Sequence, residues 1–266
     1  MNLTVSTAVM AAIIFVMVMG IVIPVGMLLV LALKYKCKVA PFFIGCATFL
    51  VFAMVLEQIL HMVVIQGPWG WTIQNNIWLY ALYGGTAAAL FEEVGRFLAM
   101  KYILAKKDQT VKTGLMYGAG HGGFECMYIL VIGMINNLAT AFMLNTMGLE
   151  KMKAQLAGTL SPQQLDQYVS SVEALATTSP ALFLVSILER VLAVTGHIVM
   201  SLLVWKSVTG GKKRYFGYAF AMHFAMDAGI ALVNHYFGII AAEICIALLV
   251  LVALVLTVKL YKKDQQ

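Results

Sequence analysis

Long apolar runs separated by short polar breaks dominate the chain. Seven such segments fall at roughly 6–33, 40–65, 77–104, 113–145, 180–206, 214–236 and 238–259. Each approaches or exceeds the ~20 residues that a helix needs to cross the hydrocarbon core of a bilayer. None shows the period-two alternation of a membrane-barrel strand. A lipid-exposed backbone must satisfy its own polar groups, so runs of this length fold as helices. The pattern predicts an all-α, polytopic membrane helical bundle of about seven transmembrane helices, built as one integral membrane domain over residues 1–266.

The breaks carry their own signals. Residues 67–76, Gly-Pro-Trp-Gly-Trp-Thr-Ile-Gln-Asn-Asn, are aromatic and uncharged, as expected of a turn at a membrane interface. The longest break spans about 146–179. Within it, Ser161-Pro162-Gln163-Gln164 has the form of an N-cap followed by a proline in the first helical turn, which predicts a short surface helix. The N-terminal Met-Asn-Leu-Thr lacks the basic region of a cleavable signal, so the first apolar run is expected to be a retained helix.

Composition agrees with this reading. The chain is 62% hydrophobic and 11% charged, with a mean hydropathy of +0.89. Soluble domains carry about 25% charged residues. A soluble enzyme, a disordered chain and a secreted disulfide scaffold are all excluded. Cys37, Cys46, Cys126 and Cys245 have neither zinc-knuckle nor disulfide-framework spacing and are read as small buried hydrophobes.

The net charge of +6 is a topology signal rather than a mark of nucleic-acid binding. Lys34, Lys36 and Lys38 follow the first segment, and Lys101, Lys106, Lys107 and Lys112 the third. Lys206, Lys212, Lys213 and Arg214 follow the fifth, and Lys259, Lys262 and Lys263 the seventh. With seven spans all of these share one side, while the opposite loops hold only Lys151 and Lys153. The positive-inside rule then places the N-terminus outside and the C-terminus inside, as expected for a multi-pass protein of a bacterial-type cell membrane.

Subtracting the loop charges leaves Glu57, His61, Glu92, Glu93, Arg96, His121, Glu125, Glu189, Arg190, His197, His223, Asp227, His235 and Glu243 within the spans. A charged group at the bilayer centre costs at least ~2.5–3.5 kcal/mol on insertion scales, so such residues point to function. Glu92, His121, His197 and His223 each lie nine residues from the nearest basic flank. That is about 13 Å of helix, so four different helices place ionisable groups in one layer. Glu125 and Asp227 lie one turn deeper, each four residues after a histidine and on its face.

Other spacings add to the layer. Glu189, Ala193, His197 and Ser201 form one stripe, and Arg190 shares the His197 face. Glu92 and Arg96 are spaced for an internal ion pair, whereas Glu93, about 100° round the helix, is free to face elsewhere. Imidazole and carboxylate ligands in this combination suit zinc, or another divalent metal, with a spare carboxylate available as a base. Gly118, Gly120, Gly122 and Gly123 either let backbones pack closely or let the helix break to admit a peptide. Glu57 with His61 is read as a packing pair towards the outer face, His235 as interfacial, and Glu243 as snorkelling.

Phe91-Glu92-Glu93-Val94-Gly95-Arg96, Gly120-His121-Gly122-Gly123-Phe124-Glu125 and His223-Phe224-Ala225-Met226-Asp227 resemble, in that order, three motifs of the PrsW-type and CAAX-prenyl-type intramembrane proteases. Glu189-Arg190 followed by His197 and Ser201 makes the YhfC-like branch of intramembrane metalloproteases the nearest resemblance. That resemblance implies Glu92 as the activator of a water and Glu93 as its support. It implies His121 and His223 as holders of the metal or the water, with Asp227 assisting. His197 and Glu125 complete the implied metal set, and Arg96, Glu189 and Arg190 support it. The CAAX-type pattern has a longer gap before its arginine, so a prenylated substrate does not follow.

An intramembrane metal-dependent peptidase acting on a membrane protein or peptide is the leading reading. A metal-ion or proton-coupled carrier is an alternative, although the chain shows no repeated halves. A non-catalytic immunity or regulatory role is a further alternative. A retinal-type receptor fits poorly, because no lysine lies inside a span.

Overall fold

A computed structural model describes residues 3–263. Among them every regular element is helical. Helix α1 covers Thr7–Lys34, α2 Ala40–Ile65, α5 Val111–Met147, α8 Pro180–Gly210, α9 Arg214–Phe237 and α10 Ile239–Lys263. By length and composition these six can cross a membrane. Helix α4 runs over Ile77–Ala99 and continues through a π-helical turn, Met100–Leu104. Its apolar character is diluted by Glu92, Glu93 and Arg96, all of them buried. Three short helices lie between the long ones: α3 Gly70–Gln74, α6 Leu149–Leu156 and α7 Pro162–Thr177. The chain is an all-α, multi-pass integral membrane protein.

Local chemistry sets the helix ends. Asn76 precedes α4, and its side chain accepts from the Trp78 and Leu79 amides. Ser161 forms a capping box with Gln164 at the start of α7, so the surface helix expected there is present. Gly148 and Gly238 end helices with φ of 78° and 81°, a left-handed conformation that side chains with a Cβ disfavour. The aromatic turn contains α3, and Trp69, Trp71 and Trp78 project outward around it, as amphipathic rings do at a headgroup layer.

The residues fall into two compact units. One comprises residues up to Ile23 with Cys126–Arg190. In it Asn145 clamps the N-terminal segment, accepting from the Val5 amide at 2.8 Å and donating to the Val5 carbonyl at 2.9 Å.

The other unit comprises Pro24–Glu125 and the chain from Val191 onward. Its apolar core joins Met100, Tyr117, Met200, Val204, Trp205, Ala219 and Met222 from α4, α5, α8 and α9. The glycines of α5 are continuously helical through Gly118–Gly123, so the helix does not break there. They serve close packing instead. A Cβ on Gly120 would lie 2.0 Å from the Phe42 carbonyl oxygen, and one on Gly45 would lie 2.3 Å from the Tyr117 carbonyl oxygen. Helices α2 and α5 therefore meet backbone to backbone. On another face of α5, a Cβ on Gly122 would lie 2.8 Å from the His197 Cβ of α8. Because these α5 positions carry no side chain of their own, α2 and α8 press against α5 at the level of His121.

Candidate metal centre

Glu92 stands where α4, α5, α8 and α9 supply side chains to one buried point. His121 Nε2 lies 2.8 Å from Glu92 Oε2, His197 Nδ1 lies 3.8 Å from the same oxygen, and His223 Nε2 lies 3.8 Å from Glu92 Oε1. All four side chains are buried. Neighbouring imidazoles are close as well, with ring centroids 5.3 Å apart for His121 and His197 and 5.6 Å for His197 and His223. The four residues that share a depth in the sequence thus meet in space.

A second ring of groups orients these imidazoles. Arg96, fully buried, donates from one guanidinium nitrogen to the His197 carbonyl and to Ser201 Oγ, both at 2.8 Å. Its other terminal nitrogen lies 3.1 Å from His197 Nδ1. A guanidinium only donates, so His197 Nδ1 accepts and carries its lone pair inward. The ring proton then sits on Nε2, which pairs with Glu125. His223 has its Nδ1 2.8 Å from Glu93 Oε1 and its Nε2 3.4 Å from Asp227 Oδ2. Imidazoles whose second nitrogen meets a carboxylate are the usual outer arrangement of metal-ligating histidines.

Glu93 faces inward, against the expectation that it is free to face elsewhere. Arg96 follows Glu92 by four residues and Glu93 by three, so one guanidinium reaches both, at 3.8 and 3.4 Å. Asp227 lies in a π-helical turn, Ala225–Gly229, and its side chain is 41% exposed, at the open edge of the cluster. Glu189 and Arg190 pair with each other on α8. His61 Nε2 lies 3.2 Å from Glu57 and its Nδ1 lies 2.8 Å from the Tyr83 hydroxyl; Glu57 itself is buried within electrostatic reach of Glu92, His223, Asp227 and Glu125. His235 stacks edge-on against Tyr236.

Sequence reasoning missed the aromatic walls. Phe49 of α2 meets the His121 ring edge-on at 5.3 Å, and Tyr117 lies one turn before it at 5.9 Å. Gly45 was the available signal for α2: four residues before Phe49, it marks a face on which another backbone can close.

The donor set fits a divalent cation. Glu92, His121 and His197 each offer one ligand atom, and these atoms lie within 4.8 Å of one another. One carboxylate and two imidazoles are a ligand combination found in catalytic zinc sites. His121 Nδ1 is buried without a hydrogen-bond partner, so Nε2 is the nitrogen that addresses the cluster. Glu92 and Glu93 both lie beside Arg96, and Glu125 pairs with His197, so carboxylates and imidazoles surround the same point.

A multi-pass membrane protein with a buried imidazole–carboxylate cluster able to hold a metal is the class that fold and site define. The chain belongs to the YhfC intramembrane metalloprotease family, which it matches over residues 19–253. It is also 32% identical over 235 residues to a Bacillus subtilis (strain 168) protein called "Uncharacterized membrane protein YhfC", across 85% of this chain and 86% of that one. No solved structure matches the chain.

Proposed function

We propose that the protein is an intramembrane metal-dependent endopeptidase that hydrolyses peptide bonds of membrane-associated proteins or peptides. The observation that carries this reading is the convergence of three imidazole nitrogens on the Glu92 carboxylate. In this proposal His121, His197 and His223 hold the metal, His197 giving up its Arg96 hydrogen bond to free the Nδ1 lone pair, with zinc the ion the donor set favours and Asp227 beside His223 to assist. When bound, such an ion polarises a carbonyl and acidifies water.

The chain's own residues supply the rest. Glu92 takes a proton from the attacking water and returns it to the leaving amine. Glu125 keeps the His197 proton on Nε2, and Glu93 fixes the His223 ring. Arg96 holds Glu92 and Glu93 together. Glycine-tight packing of α2, α5 and α8 keeps these groups in register, and a site of this kind loses rate steeply when reacting groups are misplaced by about 1 Å.

The test uses purified full-length protein and its Glu92→Gln variant, with metal content measured beside cleavage of reconstituted membrane peptides. The expected result is a bound divalent metal in both, with hydrolysis reduced at least ~10²-fold in the variant, because the carboxamide cannot accept the water proton. Loss of the metal in Glu92→Gln would make Glu92 a ligand rather than the base. Metal flux through proteoliposomes, with no peptide cleaved by the wild type, would support the carrier reading and overturn the peptidase.

A further inference from the structure

A groove on another face of the second unit has no role in this chemistry. Helices α9 and α10 turn back on each other at Gly238, and the Ile230–Phe237 end of α9 packs along α10. Towards their other ends the two helices splay. Tyr215 and Met222 of α9 and Val252, Ala253 and Leu260 of α10 line the resulting groove, with Leu203 of α8 among the lining residues. Its volume is about 700 Å³, within the range of small-molecule sites. Val252 and Leu256 are exposed along it, so it opens sideways, onto the face that an apolar helix turns to lipid.

The groove is polarised along its length. At the Met222 and Cys245 end its walls are apolar. At the Tyr215 and Leu260 end, cations gather. Arg214 lies 5.0 Å from the Tyr215 ring centroid and donates to the Tyr215 hydroxyl at 3.2 Å. Lys206 Nζ lies 5.5 Å from the Tyr215 ring, 4.8 Å from the Tyr261 ring and 3.4 Å from the Leu260 carbonyl. Lys212 and Lys213 are exposed beside Arg214.

We infer that the α9–α10 groove is a binding site for an anionic glycerophospholipid, with an acyl chain along the groove and the phosphate at Arg214. Three features point to that occupant. From Cys245 to Leu260 the groove follows about 22 Å of helix, enough to span one leaflet of a hydrocarbon core ~30 Å thick. Its cations stand at one end only, where a headgroup meets water, and its apolar walls run from there towards the midplane. An extended peptide would leave backbone N–H and C=O groups unpaired against such walls, whereas an acyl chain has none to pair. Met222 lines the groove and immediately precedes His223, so an occupant touches the helix that carries one of the site's imidazoles. The inference does not depend on the peptidase reading.

The experiment is native mass spectrometry of full-length protein, purified in mild detergent after exposure to vesicles of phosphatidylglycerol or of phosphatidylcholine. The wild type is expected to retain phosphatidylglycerol in preference to phosphatidylcholine. Arg214→Gln should reduce that preference about fivefold, the equivalent of ~1 kcal/mol for one basic residue at an anionic surface. Ala253→Trp, which fills the groove, should abolish retention while the helical circular dichroism and monodispersity stay those of the wild type. Equal retention of both lipids, or unchanged retention in a folded Ala253→Trp variant, overturns the proposal. If Ala253→Trp does not fold, a photoreactive residue in place of Leu256 decides: capture of phosphatidylglycerol supports the site, and capture of protein alone overturns it.

Discussion

Glu92 and His121 are separated by 29 positions in the chain, yet His121 Nε2 lies 2.8 Å from Glu92 Oε2. The contact holds α4 to α5 at the depth where His197 and His223 also arrive. An ion–imidazole contact in a buried setting is worth having only if its geometry is kept, and here the backbone packing around α5 keeps it.

That packing gives the first prediction. Gly120→Ala would place a Cβ 2.0 Å from a backbone oxygen of α2, which cannot move aside cheaply. Overpacking of this kind costs about 1–3 kcal/mol. The expected outcome is a lower melting temperature in detergent together with reduced bound metal. Gly217→Ala is the control, because nothing lies within 4 Å of its added Cβ. It should be neutral or slightly stabilising, by up to ~1 kcal/mol for a helical glycine.

Arg96 gives the second. It is fully buried and serves Glu92, Glu93, the His197 carbonyl and Ser201 together. Arg96→Met removes the cation and leaves buried carboxylates behind, which typically costs about 3–5 kcal/mol. Arg96→Lys should recover only part of this, since an ammonium lacks the planar fork that serves several partners at once. Adding Glu93→Gln to Arg96→Met should restore some stability, so that the two effects are not additive. Thermal unfolding of the wild type, Arg96→Met, Glu93→Gln and the double variant in one detergent checks the cycle, and simple additivity would remove Glu93 from the network.

A pH effect is expected in the loop between α4 and α5. The Thr110 amide, and then Lys38 at 2.9 Å, hold the Asp108 carboxyl down at about 2. An unfolded aspartate titrates near ~3.9. The folded value is the lower, so this contribution is fully present above ~3.9 and is lost as pH falls through about 2. Hydrogen exchange at the Thr110 amide, corrected for intrinsic rates, should quicken across that window. In Asp108→Asn the dependence should vanish, and overall stability should change by less than about 1 kcal/mol, as for other exposed pairs.

The last prediction concerns topology. We propose that α4 also crosses the membrane, which makes seven spans with the N-terminus outside and the C-terminus inside. The single layer formed by Glu92 and the three histidines supports this, because α4 must then run at the same depth as its neighbours. Reporters fused to the two termini should sit on opposite sides. Termini on the same side would mean that α4 does not cross.

Much of this protein is legible in its sequence because a bilayer is a demanding solvent. The cost of an unpaired peptide group in hydrocarbon forces each long apolar run into a helix, so composition and spacing alone locate α1, α2, α5, α8, α9 and α10 and the cap of α7. The same solvent makes Glu92, His121, His197 and His223 conspicuous, and counting residues from the basic flanks puts them at one depth. Rotation about each helix axis is not written in that count. It is set by which glycine faces which neighbour: Gly120 against Phe42, Gly122 against His197. Only the tertiary structure therefore decides that Glu93 turns inward to His223 and Arg96, that Phe49 walls His121, and that His197 addresses Glu92 through Nδ1. Depth follows from one helix and its solvent; azimuth needs the partner helix, whose contacts fix it.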